Sequence, residues 1–137
     1  MTDDTFARAA AEDFFAEARR VSELRRERWG NSDGDSMTRL VRSFPVLEDA
    51  AGVDPWNAGR FLRWACAPDT DLCSSALHAV RFVLQVWNCR RDWRATAKDE
   101  GLGGGHLAPF NLVEACSIWD NRHRVACLAW IEAPFFP

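Results

Sequence analysis

Between Ser117 and Trp130 the chain reads SIWDNRHRVACLAW, which sets an aspartate, a histidine, two arginines and a cysteine between tryptophans. These are the residue types of nucleophilic sites, in which an imidazole takes the proton of a thiol and a third group orients the imidazole. His123, Cys127 and Ile131 follow one another at four-residue intervals and share a face if the segment is helical, and Cys116 approaches them if the preceding helix folds back. No convincing third group and no oxyanion motif accompanies the pair. The same residues read more simply as a helix start, with Asp120 as N-cap and Asn121, Arg122 and His123 in the first turn. On this reading no residue is catalytic and the chain is not an enzyme. Arg122 and Arg124 then sit at the positive end of the helix dipole, so they need a carboxylate partner or a binding role.

Metal chemistry has equally little support. The donors Cys66, Cys73, His78, His106, Cys116, His123 and Cys127 include no C-x₂₋₄-C or H-x₃₋₅-H knuckle, so neither a metal nor a cofactor is expected. The five cysteines, an odd number without a C-x-x-C pair, lie in apolar-periodic segments and read as reduced, buried small hydrophobes. GLGGGH, residues 101–106, is rich in glycine but follows no strand and matches neither phosphate-loop pattern, which leaves a flexible hinge or surface loop.

Seven tryptophans are more than a small core easily buries, so at least one exposed Trp/Arg patch is expected. Trp29 and Trp93 lie beside arginines at helix ends, where cation–π contact or a partner surface is plausible. Arg90, Arg91, Trp93 and Arg94 are the first choice for this candidate interface, and Arg122 and Arg124 are counted with them. Arg19, Arg20, Arg25, Arg26 and Arg28 are the candidates for phosphate binding, although Glu23 and Glu27 interleave as helix-spaced partners and favour a solvated face.

The elements that carry these groups follow from periodicity. Ala7, Ala11, Phe14, Ala18 and Val21 mark a long N-terminal helix from Asp4 to Trp29, acidic early and arginine-rich late, stopped by Gly30 in a left-handed C-cap. Ser36 N-caps a short helix through Met37, Leu40, Val41 and Phe44, and Pro45 interrupts it. Another runs from Val46 to Ala51, and Asp54 with Pro55 starts the helix that carries Phe61, Leu62 and Trp64. Leu72 to about Trp93 has the widest apolar stripe and should be the central buried helix. Two short helices close the chain, about Pro109 to Ile118 and Asn121 to Glu132, and Phe135 and Phe136 either fold back on the core or dock into a second chain. With no alternating strand pattern, the fold class is all-α, a small irregular bundle of about six helices in a single domain over residues 1–137.

A formal charge of −3 argues against a dedicated nucleic-acid binder, and no stretch reaches the ~18 consecutive apolar residues of a membrane span. The acidic start MTDD is unlike a secretory signal, so a cytoplasmic location is expected.

SSALHAVRFVLQVWN (residues 74–88) and FNLVEACSIWDNRHRVACLAWIEAPFFP (residues 110–137) together resemble a group of short uncharacterised proteins carried by bacterial phages, plasmids and other mobile elements. That group combines an F-V-L-x-V-W-N helix with a C-terminal W-D-x-x-H-R…W…P ending, and this chain ends in Phe135-Phe136-Pro137 where tryptophans are usual. The resemblance implies context and brings no activity, cofactor or catalytic residue with it. It leads to the expectation of a non-enzymatic protein-binding module that engages a host or phage protein complex, with an anti-defence role such as anti-CRISPR inhibition as its specific version. A nucleic-acid-associated accessory protein is the rival reading, a Cys/His enzyme the third, and a homodimer a further use of an exposed aromatic patch.

Overall fold

The computed structural model describes residues 3–137. Seven α-helices and one 3₁₀ turn make up the regular structure among those residues, with no strand beyond an isolated bridge between Val53 and Trp56. In chain order they are α1 (Asp3–Trp29), α2 (Asp33–Arg42), the 3₁₀ turn Pro45–Leu47, α3 (Ala58–Cys66), α4 (Ser74–Trp87), α5 (Trp93–Asp99), α6 (Leu112–Ile118) and α7 (Asn121–Glu132). The all-α irregular bundle expected from periodicity is what the chain forms.

α4 is the core element. Ala76, Ala79, Val80, Phe82, Val83, Leu84 and Val86 are all buried along it, and it packs against α2, the 3₁₀ turn, α3 and α6. Each Val, Leu or Phe side chain taken from water contributes about 1.5–3 kcal/mol, which is why the widest apolar stripe takes the centre. The helix is shorter than its expected span. It stops at Trp87, where Asn88 turns to extended backbone, and Asp92 recaps the chain by accepting from the Ala95 N–H at 3.1 Å, so that Trp93 opens the separate helix α5.

α1 departs most from expectation. Its length and its Gly30 stop agree, Gly30 taking φ +83° and donating to Arg26 O. Its apolar stripe, however, does not enter the core: residues 3–20 are exposed throughout, with Phe6, Phe14 and Phe15 at 68%, 69% and 58% of full exposure. Only the last turns dock, through the buried Trp29, whose Nε1–H donates to Ala133 O at 2.9 Å and whose ring meets Phe135 at 5.5 Å. Trp29 is therefore core and not a partner surface. Of the tail, Phe135 folds back and is buried while Phe136 stays 73% exposed.

Three local starts differ from the sequence reading. Ser32, not Ser36, caps α2, its Oγ accepting from the Asp35 N–H at 3.1 Å; Ser36 is buried and donates to Trp29 O. The Val46–Ala51 helix is only the 3₁₀ turn, and α3 begins under Asn57, whose side chain accepts from the Arg60 N–H at 2.9 Å, while Asp54 pairs with Arg42 at 3.0 Å. α6 begins at Leu112 under Asn111, later than Pro109. The glycine cluster, expected to be loose, holds one close approach: Gly104 is buried, and a Cβ there would lie 2.3 Å from Ala97 Cβ of α5.

Candidate functional site: an arginine and tryptophan cleft

The stretch Ser117–Trp130 forms the turn between α6 and α7 and the first turns of α7. Asp120 caps α7 as expected and takes four hydrogen-bond roles at once. Its Oδ1 accepts from the His123 backbone at 3.2 Å and from the ring Nδ1–H at 2.6 Å, and its Oδ2 accepts from Arg122 at 3.2 Å, while its backbone oxygen takes the Arg124 N–H. The two His123 hydrogen bonds, ring first, hold the Asp120 carboxyl well below the usual carboxylate range.

An aspartate on Nδ1 leaves Nε2 as the free nitrogen, which is how a catalytic base is oriented. Here that nitrogen is buried and meets no partner, because the ring is packed between Phe44 (6.2 Å) and Trp119 (6.5 Å) and the residue is 3% exposed. No hydrogen bond joins it to Cys116 or Cys127 among the described residues. Burial first, then neighbouring Cys116, pushes the Cys127 thiol up to about 11, so it stays protonated at neutral pH and is a poor nucleophile. Ile131 of the same face is 49% exposed. No cluster of three or more histidine, cysteine or acidic side chains able to hold a metal occurs among the described residues.

The two arginines without a sequence role now have partners. Arg122 pairs with Asp120, and Arg124 donates through Nε to Cys116 O at 3.2 Å and through Nη1 to Asn121 Oδ1 at 3.3 Å. Both brace the start of α7, so they do not join Arg90, Arg91, Trp93 and Arg94. In α1, Arg20 pairs with Glu17, and Arg28 with Glu132 and Ala129 O, leaving Arg19, Arg25 and Arg26 without an ion-pair partner among the described residues.

Arg90, Arg91, Trp93 and Arg94 are brought together. They border a cleft of about 410 Å³ between the C-terminal half of α4, the 88–92 turn, the start of α5 and residues 107–109. Trp93 is half-buried, its Nε1–H donating to Leu84 O at 3.0 Å, and the Arg91 guanidinium lies 5.5 Å from its ring centroid. Arg81 reaches the cleft from α4 and holds its far wall, donating through Nε and Nη2 to His106 O at 3.0 and 2.8 Å. Burial holds the Arg81 guanidinium below the usual arginine range; Glu114 opposes that shift and Arg94 adds to it. Four arginines thus face one aspartate, and the Asp92 carboxylate is already engaged as the α5 cap. Arg90, Arg91 and Arg94 are exposed and have no carboxylate within ion-pair distance among the described residues. Planar, unneutralised guanidinium groups around an aromatic anchor suit a carboxylate- or phosphate-bearing ligand.

A second concavity adjoins the first. About 280 Å³ in volume, it is walled by Phe82, Val86, Phe110, Leu112, Ile131 and Phe136, and it shares Gln85 and Cys89 with the arginine cleft. Sequence reasoning missed Arg81, Gln85 and this groove. Arg81 left a signal, as the lone arginine in SSALHAVRFVLQVW; the groove left none, since it needs α4, α6 and α7 assembled.

No family model matches the chain, and no curated protein and no solved structure matches it. Among the described residues no helix is long and apolar enough to cross a membrane.

Proposed function

We propose that this chain is a non-enzymatic binding module whose arginine and tryptophan cleft takes an acidic polypeptide segment that also carries an apolar side chain. One observation supports the reading above the rest: the cleft with Arg81, Arg90, Arg91 and Arg94 around Trp93 lies beside an apolar groove, Gln85 and Cys89 lining both. The arginines complement carboxylates and the groove accepts an aliphatic or aromatic anchor, the combination that makes protein hot spots. A nucleic-acid backbone would use the charge and leave the apolar groove empty. The likeness of residues 74–88 and 110–137 to mobile-element proteins makes a host or phage protein complex the expected owner of that segment, and a defence complex such as a CRISPR or restriction assembly the specific class.

Fluorescence anisotropy with a fluorescein-labelled dodecapeptide of glutamate, leucine and phenylalanine tests this, with a single-stranded DNA dodecamer of matched charge as competitor. The peptide should bind the wild type and lose at least tenfold in affinity on Arg90→Glu/Arg94→Glu, both exposed positions whose change leaves the fold intact. Tighter binding of the oligonucleotide, with the steep salt dependence of phosphate contacts, would replace this reading by the nucleic-acid one.

A further inference from the structure

α1 leaves a long apolar stripe exposed. Residues 3–20 are exposed throughout, a length of about 27 Å at 1.5 Å per residue. On one side of this rod Ala7, Ala11, Phe14, Ala18 and Val21 recur at alternating four- and three-residue steps, the spacing of a two-helix seam, with Phe15 at its edge. Helices in proteins draw most of their stability from packing an apolar face, so something that covers the seam would stabilise α1.

Charge identifies what fits. Asp3 and Asp4 open the helix, and Arg25 and Arg26 lie near its other end, all four exposed. Parallel pairing of two such helices sets acid against acid and base against base; antiparallel pairing sets each acidic end beside a basic one. A register centred on Phe14 and Phe15 puts Ala11 opposite Ala18 and brings Asp3 and Asp4 alongside Arg26 and Arg25 of the second helix. Area agrees. Phe14 and Phe15, 69% and 58% exposed, offer roughly 200–300 Å² per copy from a full side-chain burial of about 150–250 Å² each, the aromatic centre of the ~800 Å² per partner of a stable interface.

We propose that α1 pairs antiparallel with α1 of a second copy of this chain, the Ala7–Val21 seam forming the contact and the Asp3–Asp4 and Arg25–Arg26 ends setting its direction. The arginine cleft lies on α4 and α5, so this dimer carries two clefts and is independent of what they bind.

Sedimentation equilibrium of the full chain between 5 and 200 µM tests it. The wild type should be dimeric at the upper end, and Phe14→Glu should weaken association at least tenfold, while Val125→Glu, exposed on α7, should not. Phe14 is 69% exposed, so at concentrations where both chains are monomeric the Phe14→Glu chain keeps the wild-type unfolding midpoint, and a loss of dimer is not a loss of fold. Direction is read by swapping charges. Arg25→Asp/Arg26→Asp alone should dissociate the dimer. Adding Asp3→Arg/Asp4→Arg should restore self-association, and the swapped chain should not mix with wild type. A wild type monomeric to 200 µM, a dimer indifferent to Phe14→Glu, or a swapped chain that pairs preferentially with wild type would overturn the proposal.

Discussion

Replacing Trp119 separates a structural from a catalytic reading of the Ser117–Trp130 stretch. Trp119 is 1% exposed, its Nε1–H donates to Ser75 O at 3.0 Å, and its rings stack on Phe110 at 5.7 Å and meet Phe44 at 5.4 Å. It therefore ties the turn before α7 to the first residues of α4 and closes the aromatic wall over His123. Trp119→Ala removes the largest fully buried side chain and should cost about 3–5 kcal/mol. Trp119→Phe keeps a ring and loses the hydrogen bond and part of the indole, costing about 1–2 kcal/mol, of which the hydrogen bond accounts for roughly 1. For a chain of this length each kilocalorie lowers the melting temperature by roughly 3–5 °C. The half-buried Trp87, which touches Trp56 at 5.5 Å, provides the comparison, and Trp87→Ala should cost roughly half as much as Trp119→Ala. Urea unfolding followed by far-ultraviolet circular dichroism gives these values, with an unchanged m-value showing that stability alone has moved. A Trp119→Ala cost below about 1 kcal/mol, or no greater than that of Trp87→Ala, would refute the core assignment of this stretch.

Three further outcomes follow from the same geometry. Gly104→Ala forces a Cβ against Ala97 and should cost about 1–3 kcal/mol in urea unfolding, while Gly103→Ala and Gly105→Ala meet open space and should stay within about 0.5 kcal/mol of wild type. Burial foremost, with Arg81 adding and Glu114 opposing, holds the His78 imidazole below its ordinary value near 6.5. Its contribution to stability is then fully present above that value and lost as pH falls below it, so between pH 7 and 5 the His78→Leu chain should lose less stability than wild type; equal slopes would exclude His78 as a source. Thiol labelling of the folded chain should modify the exposed Cys73 and Cys89 first and reach the buried Cys66 and Cys127 only on unfolding, and a Cys127 that reacts as fast as Cys89 would contradict the packing of α7.

What was legible in the sequence was local. The Asp120 cap, the α7 bounds, the Gly30 stop and the α4 stripe each rest on a few neighbouring residues, and each stands in the structure. Contacts between distant segments were not legible. Trp29 reads as a surface residue beside arginines until the tail, 104 residues later, supplies Ala133 O and the Phe135 ring. The α1 stripe has the spacing of a core helix, and spacing alone does not say whether the body reaches it. Ser32 and Ser36 are both good caps by type, and what separates them is that Trp29 O claims the Ser36 hydroxyl. Arg90, Arg91, Trp93 and Arg94 were recognisable as a cluster by composition, but Arg81 and the apolar groove that complete the site come from elsewhere in the fold.

The central claim, an acidic and apolar segment seated across the cleft and groove, is tested most directly by the indole N–H signals of ¹⁵N-tryptophan-labelled protein during titration with the Glu/Leu/Phe dodecapeptide. Trp93, which lines the cleft, and Trp130, which lines the groove, should move together and saturate at one concentration, while the core residues Trp29 and Trp119 stay in place. Arg90→Glu/Arg94→Glu should abolish both movements. Saturation with Trp93 and Trp130 unmoved, or movements that survive the double charge reversal, would contradict the account.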